Sequence, residues 1–129
     1  MNREMKKLSD ALFASWSIDS STKWTEGNPA KGQCGVSALV VNELYGGEIL
    51  KTKLEEGWHF YNFIDGRRFD FTYSQFCHPI VYDDIVSSRA EALEDTNEEQ
   101  FSYLLRRVWE EMEVIAYSTD NGKYKVYDF

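Results

Sequence analysis

Three residues have the types and spacing that suit nucleophilic catalysis: Cys34, His59 and Asp70. In acyl transfer by a cysteine, the sulfur attacks the carbonyl carbon, a histidine moves the protons, and a carboxylate fixes the tautomer of that histidine. Cys34 follows a loop rich in Gly, Pro and polar residues, and it opens an apolar segment. If this segment is a helix, its free N–H groups and its dipole favour the thiolate. We therefore predict a Cys34-His59-Asp70 triad.

The position of His59 relative to Asp70 depends on a predicted β-hairpin. Two aromatic and β-branched runs, 58–64 and 67–72, are separated by Asp65-Gly66, which is a strong signal for a two-residue turn. In the register of such a turn, His59 and Asp70 are diagonal neighbours within reach of a hydrogen bond. Alternation predicts two opposite faces: His59, Tyr61, Phe63, Arg68, Asp70 and Thr72 on one, and Trp58, Phe60, Asn62, Ile64, Phe69 and Phe71 on the other.

Three further segments have helical patterns. Residues 4–16 form an amphipathic helix, and residues 97–112 form another. The apolar face of the first helix is predicted to contain Met5, Leu8, Leu12, Phe13 and Trp16. Residues 34–45 are apolar on nearly all sides, as in a buried helix. Residues 114–129 are either two strands about Asn121-Gly122 or, in their first part, a continuation of the preceding helix.

These elements predict an α+β fold. Residues 48–54 alternate as a short strand and complete a small antiparallel sheet with strands at 57–64 and 67–72. We expect the buried helix that starts at Cys34 to pack on this sheet, with the amphipathic helices flanking it. Residues 17–33 and the segment from His78 to about Ser88 are expected to be loops. The length of 129 residues predicts a single domain over 1–129.

A nucleophilic site also needs groups that bind the substrate. The backbone N–H of Cys34 and one further donor would bind the developing oxyanion. The candidates for the second donor are Gln33, Trp24 and Asn28, in that order, and Tyr61 is a candidate to line a substrate pocket. No cofactor is expected. The substrate is predicted to be a small molecule, a peptide or a protein.

Charge and composition limit the other partners. The chain has 14 Lys and Arg residues against 22 Asp and Glu residues, a formal net charge of -8, so that nucleic acid and anionic membranes are repelled overall. No apolar stretch approaches the roughly 20 residues of a membrane span, and no signal-peptide core follows the N-terminus. We therefore expect a cytoplasmic protein with two reduced cysteines, Cys34 and Cys77.

Four runs of the sequence carry a family resemblance. They are NPAKGQCG from Asn28, GGEIL from Gly46, HFYNFIDG from His59 and DFTYSQF from Asp70. In this order they resemble the YunG-like family of small bacterial proteins. The order of helix-start Cys, strand His and next-strand Asp is also similar to the core of transglutaminase-like and papain-like cysteine enzymes. This second resemblance implies Cys34 as nucleophile, His59 as base and Asp70 as the orienting acid. The chain departs from papain-like peptidases because Gln33 is adjacent to the cysteine instead of several residues before it.

Other interpretations of the same residues remain open. Cys34, His59, Asp70, Cys77 and His78 are ligand types that bind zinc, but no pair has the usual Cys-x-x-Cys or His-x-x-x-His spacing. A buried cysteine is often only a packing residue. The chain would then be a non-catalytic ligand-binding or protein-binding domain on the scaffold of a cysteine enzyme. The acidic run Glu91, Glu94, Asp95, Glu98 and Glu99 is expected to be a solvated helix start.

Overall fold

The fold was analysed in a computed structural model that describes the backbone of residues 2–120 and the side chains of residues 2–113. Four helices and four strands follow one another along the chain: α1 Arg3–Ser15, α2 Cys34–Tyr45, β1 Glu48–Leu54, β2 Gly57–Ile64, β3 Arg67–Phe69, β4 Ile85–Val86, α3 Arg89–Glu94 and α4 Glu98–Asp120. The predicted α+β class is confirmed. None of the helices in the described range is long and apolar enough to cross a membrane.

The sheet is antiparallel, with the strand order β3-β2-β1-β4. The predicted hairpin register is confirmed, because Ile64 pairs with Arg67 across the Asp65-Gly66 turn. Both turn residues have positive φ, 50° at Asp65 and 78° at Gly66, as a tight hairpin turn requires. The long pair of β1 and β2 therefore forms the centre of the sheet, and β3 and β4 form its short edges.

Helix α2 packs on one face of β2, as the sequence predicts. The Asn62 side chain donates a hydrogen bond of 3.1 Å to the Ala38 carbonyl of α2, and Phe60 packs in one cluster with Cys34. On its other side, α2 shares a core with α1 and α4. That core includes Leu8, Leu12, Val40, Leu104 and Val108. The first turn of α2 is thus fixed between helices and sheet.

Four details differ from the sequence prediction. The third strand stops at Phe69 instead of residue 72, because the Asp70 carboxylate binds the Thr72 backbone N–H and forms a local turn that competes with pairing. The loop after His78 contains a fourth strand, β4. Phe13 is 43% exposed and lies on the outside of Trp16, with ring centroids 4.6 Å apart. Asp95, which was expected to be solvated, accepts a hydrogen bond from the Gly35 backbone N–H at the start of α2.

The C-terminal alternatives are resolved in part. Helix α4 continues to Asp120, so residues 114–120 are helical and do not form a strand. The second predicted strand, after Asn121-Gly122, lies outside the described residues.

Candidate functional site

His59 and Asp70 form the hydrogen bond that the hairpin register predicts. The Nε2 atom of His59 lies 2.7 Å from Oδ2 of Asp70, and the two side chains are only 3% and 5% exposed. Since Asp70 follows the end of β3, the carboxylate reaches His59 from a turn and not from a paired strand position. Water is excluded from the contact, so the bond holds the imidazole in one orientation.

The Asp70 carboxylate is fully used by its neighbours. Oδ2 also accepts a hydrogen bond of 2.7 Å from the Tyr82 hydroxyl, and Oδ1 accepts from the backbone N–H and Oγ1 of Thr72. Burial and the neighbouring Asp70 raise the pKa of Tyr82, which therefore remains a donor. Rings of Tyr61 and Phe76 lie against the imidazole, with centroids 5.8 and 4.9 Å from it. Both oxygens of the carboxylate and the ring of His59 are thus positioned by the fold.

The segment between β3 and β4 is tied to the sheet beside this pair. The Asp84 backbone N–H donates to the Tyr61 hydroxyl, which in turn donates to the Asp84 carboxylate at 3.0 Å. Arg68 binds the same carboxylate, and Thr52 donates to Asp83 at 2.8 Å. Thr52 Oγ1 also lies 3.2 Å from the Val81 carbonyl, to which it can donate. Because these bonds anchor the residues on both sides of Tyr82, they hold the Tyr82 hydroxyl against Asp70.

Cys34 is the first residue of α2 and lies at the edge of β2. The backbone N–H of Phe60 forms a hydrogen bond to its sulfur, and the residue is only 9% exposed. This approach is possible because β3 ends at Phe69, which pairs with Asn62, and so leaves the edge of β2 open at Phe60. His59 points to the opposite face of the sheet from Phe60, but the open edge lets both Cys34 and His59 reach one cavity.

The electrostatic environment of Cys34 differs from the expected one. Burial and the nearby Asp95 carboxylate raise the pKa of the thiol to about 12, and the hydrogen bond from Phe60 only partly opposes this. The expectation that the helix start favours the thiolate is therefore wrong for this state of the site. The side chain that accepts a hydrogen bond from the thiol is Asp95, and not His59. Cys34 is a protonated thiol at neutral pH.

Asp95 is the site residue that the sequence analysis missed. Its Oδ2 lies 3.6 Å from the Cys34 sulfur and accepts a hydrogen bond of 3.2 Å from the Gly35 backbone N–H. It is the C-cap residue that follows α3, and a Cβ atom at Gly35 would lie 2.5 Å from this oxygen. Burial raises the pKa of the Asp95 carboxyl, although these bonds oppose the shift. The one signal in the sequence was Gly35, a glycine in the first turn of a helix.

Cys34, His59 and Asp95 line a common cavity of about 590 Å³. The loop before α2, the start of β2, the turn after β3 and helix α3 form its walls. Its charged lining is more acidic than basic, with Glu56, Glu91, Glu94 and Asp95 against Lys23 and Lys31. A cavity of this size accommodates a small ligand or one end of a peptide.

The predicted binding residues have different locations. Asn28 lines the cavity and donates to the Gln75 carbonyl at 3.2 Å. Gln33 is fully buried behind Cys34, where its Oε1 atom has no partner, and Nε1 of Trp24 is likewise buried without one. Tyr61 is buried against Asp84 on the far face of the sheet. Gln33, Trp24 and Tyr61 are not among the residues that line the cavity.

The residues that were considered as zinc ligands are separated in the structure. Cys77 and His78 are exposed in the turn-rich segment after β3, whereas Cys34 and His59 are buried. Within the part of the chain whose side chains are described, no three His, Cys, Asp or Glu residues are grouped closely enough to hold a metal ion.

Comparison with known proteins places this site in a family. A sequence profile described as "YunG protein" matches residues 4–113, which contain all the site residues above. The chain belongs to the YunG family. It is 50% identical over 115 residues to "Uncharacterized protein YunG" of Bacillus subtilis (strain 168), an alignment that covers 89% of this chain and 100% of that protein. No solved structure matches this YunG family member significantly.

Proposed function

We propose that this YunG family member is a cytoplasmic cysteine-dependent hydrolase or acyltransferase that acts on an amide, isopeptide or thioester bond. Cys34 is the nucleophile, His59 the base and Asp70 the residue that orients the base. The observation that supports this most is the buried Nε2–Oδ2 bond of 2.7 Å, made by a histidine that lines the same cavity as a helix-start thiol. On this proposal the core works as it does in papain-like and transglutaminase-like enzymes.

The protonated thiol determines how the step must proceed. A thiol whose pKa is raised to about 12 is protonated at neutral pH before the substrate binds, so a base must remove its proton during the attack. His59 would accept the proton from Cys34 while the sulfur bonds to the carbonyl carbon, and it would return the proton to the leaving group as the carbonyl–heteroatom bond breaks. Water, or a second acceptor, would then take the acyl group. Asp70 would bind Nε2–H throughout and leave Nδ1 to exchange the proton.

The cavity restricts the substrate. A volume of about 590 Å³ fits a small molecule or the end of a chain, and the acidic lining disfavours nucleic acid. The Cys34 backbone N–H at the helix start is a donor for the oxyanion, and Asn28 is the remaining predicted side-chain donor on the cavity wall.

The test is turnover of a panel of p-nitrophenyl esters, alkyl thioesters and aminoacyl anilides. Cys34→Ala should abolish turnover, His59→Ala should reduce it by at least ~100-fold, and Cys77→Ala is the matched control that should leave it unchanged. Equal rates for the wild type and Cys34→Ala would contradict the proposed function.

One observation favours a second candidate, a non-catalytic binding domain on the same scaffold. The raised pKa of the thiol and its bond to Asp95 are also what a packing cysteine would have. In that case, a small-molecule library should yield a ligand whose binding, measured by calorimetry, is the same for the wild type and Cys34→Ser. Loss of turnover in Cys34→Ala would exclude this candidate.

A further inference from the structure

Asp95 occupies a position that hinders the proposed chemistry unless a cation joins it. Its carboxylate oxygen lies 3.6 Å from the Cys34 sulfur, so a thiolate would form beside a negative charge. Two unit charges at such a distance repel one another strongly when water is partly excluded. No Lys or Arg of the described part of the chain forms a salt bridge with Asp95. A positive group that entered the cavity would remove the repulsion.

We infer that Asp95 binds a cationic group of the acyl substrate, in particular a primary ammonium close to the carbonyl that Cys34 attacks. The inference rests on the proposed function and names its substrate class, aminoacyl compounds with a free amine. In the contact that precedes attack, the carbonyl carbon lies roughly 3–3.5 Å from the sulfur. An ammonium two bonds from that carbon is then within reach of the carboxylate that now contacts the sulfur.

The surroundings of Asp95 support a role in binding. The carboxylate is fixed by the Gly35 backbone N–H at 3.2 Å, and the missing side chain at Gly35 is what admits it to the helix start. Asp95 is exposed and lines the cavity, so a ligand that fills the cavity can reach it. Glu91 and Glu94 on α3 add negative charge to the same wall, although Glu91 is paired with Lys51 at 2.7 Å.

Binding of the ammonium would also release the thiol. The hydrogen bond from the sulfur to Asp95 would be replaced by one from the ammonium, and the negative charge beside the sulfur would be neutralised. The charged groups that act on Cys34 are Asp95 and Asp70, and those that act on Asp95 include Lys23 and His59. Of the two carboxylates, only Asp95 is bonded to the sulfur and lines the cavity. Proton transfer to His59 would thus be favoured only when the correct substrate is bound.

The experiment uses three methanethiosulfonate reagents that differ in charge: aminoethyl (cationic), methyl (neutral) and sulfonatoethyl (anionic). Each transfers its thio group to a cysteine sulfur with loss of methanesulfinate. Labelling rates at Cys34 and at the exposed Cys77 are measured separately by mass spectrometry of peptides, so that Cys77 reports the intrinsic reactivity of each reagent. The variants are Asp95→Asn and, as the matched control, Glu94→Gln, which removes another charge of the cavity wall.

In the wild type we expect the aminoethyl reagent to label Cys34 about tenfold or more faster than the methyl reagent does, after each rate is divided by the rate at Cys77. The sulfonatoethyl reagent should be the slowest. Asp95→Asn should bring the ratio of the aminoethyl rate to the methyl rate close to one, and it should raise the labelling rate of the neutral methyl reagent. Glu94→Gln should keep the preference for the cationic reagent. No preference in the wild type would overturn the inference, and this comparison does not depend on folding of a variant. Slower neutral labelling in Asp95→Asn would also overturn it, because Asp95 would then be acting as the base.

The reagents label thiols without acyl transfer, so the two proposals fail separately. Absence of a charge preference would refute the role of Asp95 and leave acyl transfer by Cys34 standing. Turnover retained by Cys34→Ala would refute acyl transfer, whatever the charge preference.

Discussion

Replacement of Asp70 by Asn tests whether the carboxylate organises the site. The Asp70 side chain is 5% exposed, and its Oδ2 atom lies 2.7 Å from both His59 Nε2 and the Tyr82 hydroxyl. The change replaces this carboxylate by a neutral amide, so that an N–H₂ group or an amide oxygen faces these two partners. Hydrogen bonds to a buried charged group contribute about 1.5–3 kcal/mol each. The Tyr82 hydroxyl can turn to accept a bond, which recovers part of the loss. We expect Asp70→Asn to lower the free energy of unfolding by about 2–4 kcal/mol.

The matched control is Asp84→Asn, because Asp84 binds Tyr61 and Arg68 but its side chain is 41% exposed. Asp84 has a φ of 53°, which Asn tolerates, so we expect a loss below about 1 kcal/mol. Urea unfolding at pH 7, followed by tryptophan fluorescence, compares the two variants. ¹⁵N NMR should also show the proton of His59 on Nε2 in the wild type. An Asp70→Asn variant no less stable than Asp84→Asn would refute the reasoning.

Three further outcomes are expected. Gly47→Ala should destabilise the fold by at least ~1 kcal/mol more than Gly46→Ala, as measured by urea unfolding. Both glycines have positive φ, but only a Cβ at Gly47 would meet a backbone oxygen, that of Phe63, at 2.3 Å. Equal losses of stability in the two variants would contradict this. Folding raises the pKa of Asp95, so its stability contribution is present in acid and lost as pH rises through the folded pKa. Asp95→Asn should therefore raise the melting temperature at pH 7 relative to wild type, with a difference that shrinks towards pH 3; a constant difference would refute the assignment. Iodoacetamide alkylation of wild-type Cys34 should accelerate roughly tenfold per pH unit up to pH 10, since the pKa is about 12, and a plateau below pH 9 would be inconsistent with it.

The parts of the fold that the sequence predicts are those with strong local signals. The Asp65-Gly66 turn fixes the hairpin register, and alternation then assigns Phe60 and His59 to opposite faces. Helix α2 is predicted from residue 34 to 45 because an apolar run ends at a glycine pair. From these elements the His59–Asp70 bond follows directly.

The remaining parts depend on contacts between distant segments. The end of β3 at Phe69 is decided by the bond from the Asp70 side chain to Thr72, which no periodicity indicates. The two residues of β4 pair with β1 after a long loop. Asp95 stands in an acidic run that is otherwise solvated, and its contact with Cys34 spans 61 positions of the chain. For that reason, the local argument for a thiolate at a helix start gave the wrong sign for the pKa of Cys34.

The most direct test of the account is to locate the acyl group after reaction with an aminoacyl thioester. The protein would be incubated with glycine ethyl thioester, quenched in acid and mapped by peptide mass spectrometry, with His59→Ala treated in parallel. We expect a glycyl group on Cys34 of the wild type and little or none on Cys34 of His59→Ala, with Cys77 unmodified in both. Equal labelling of Cys34 in the two proteins, or none in either, would contradict the assignment of Cys34 and His59 as nucleophile and base.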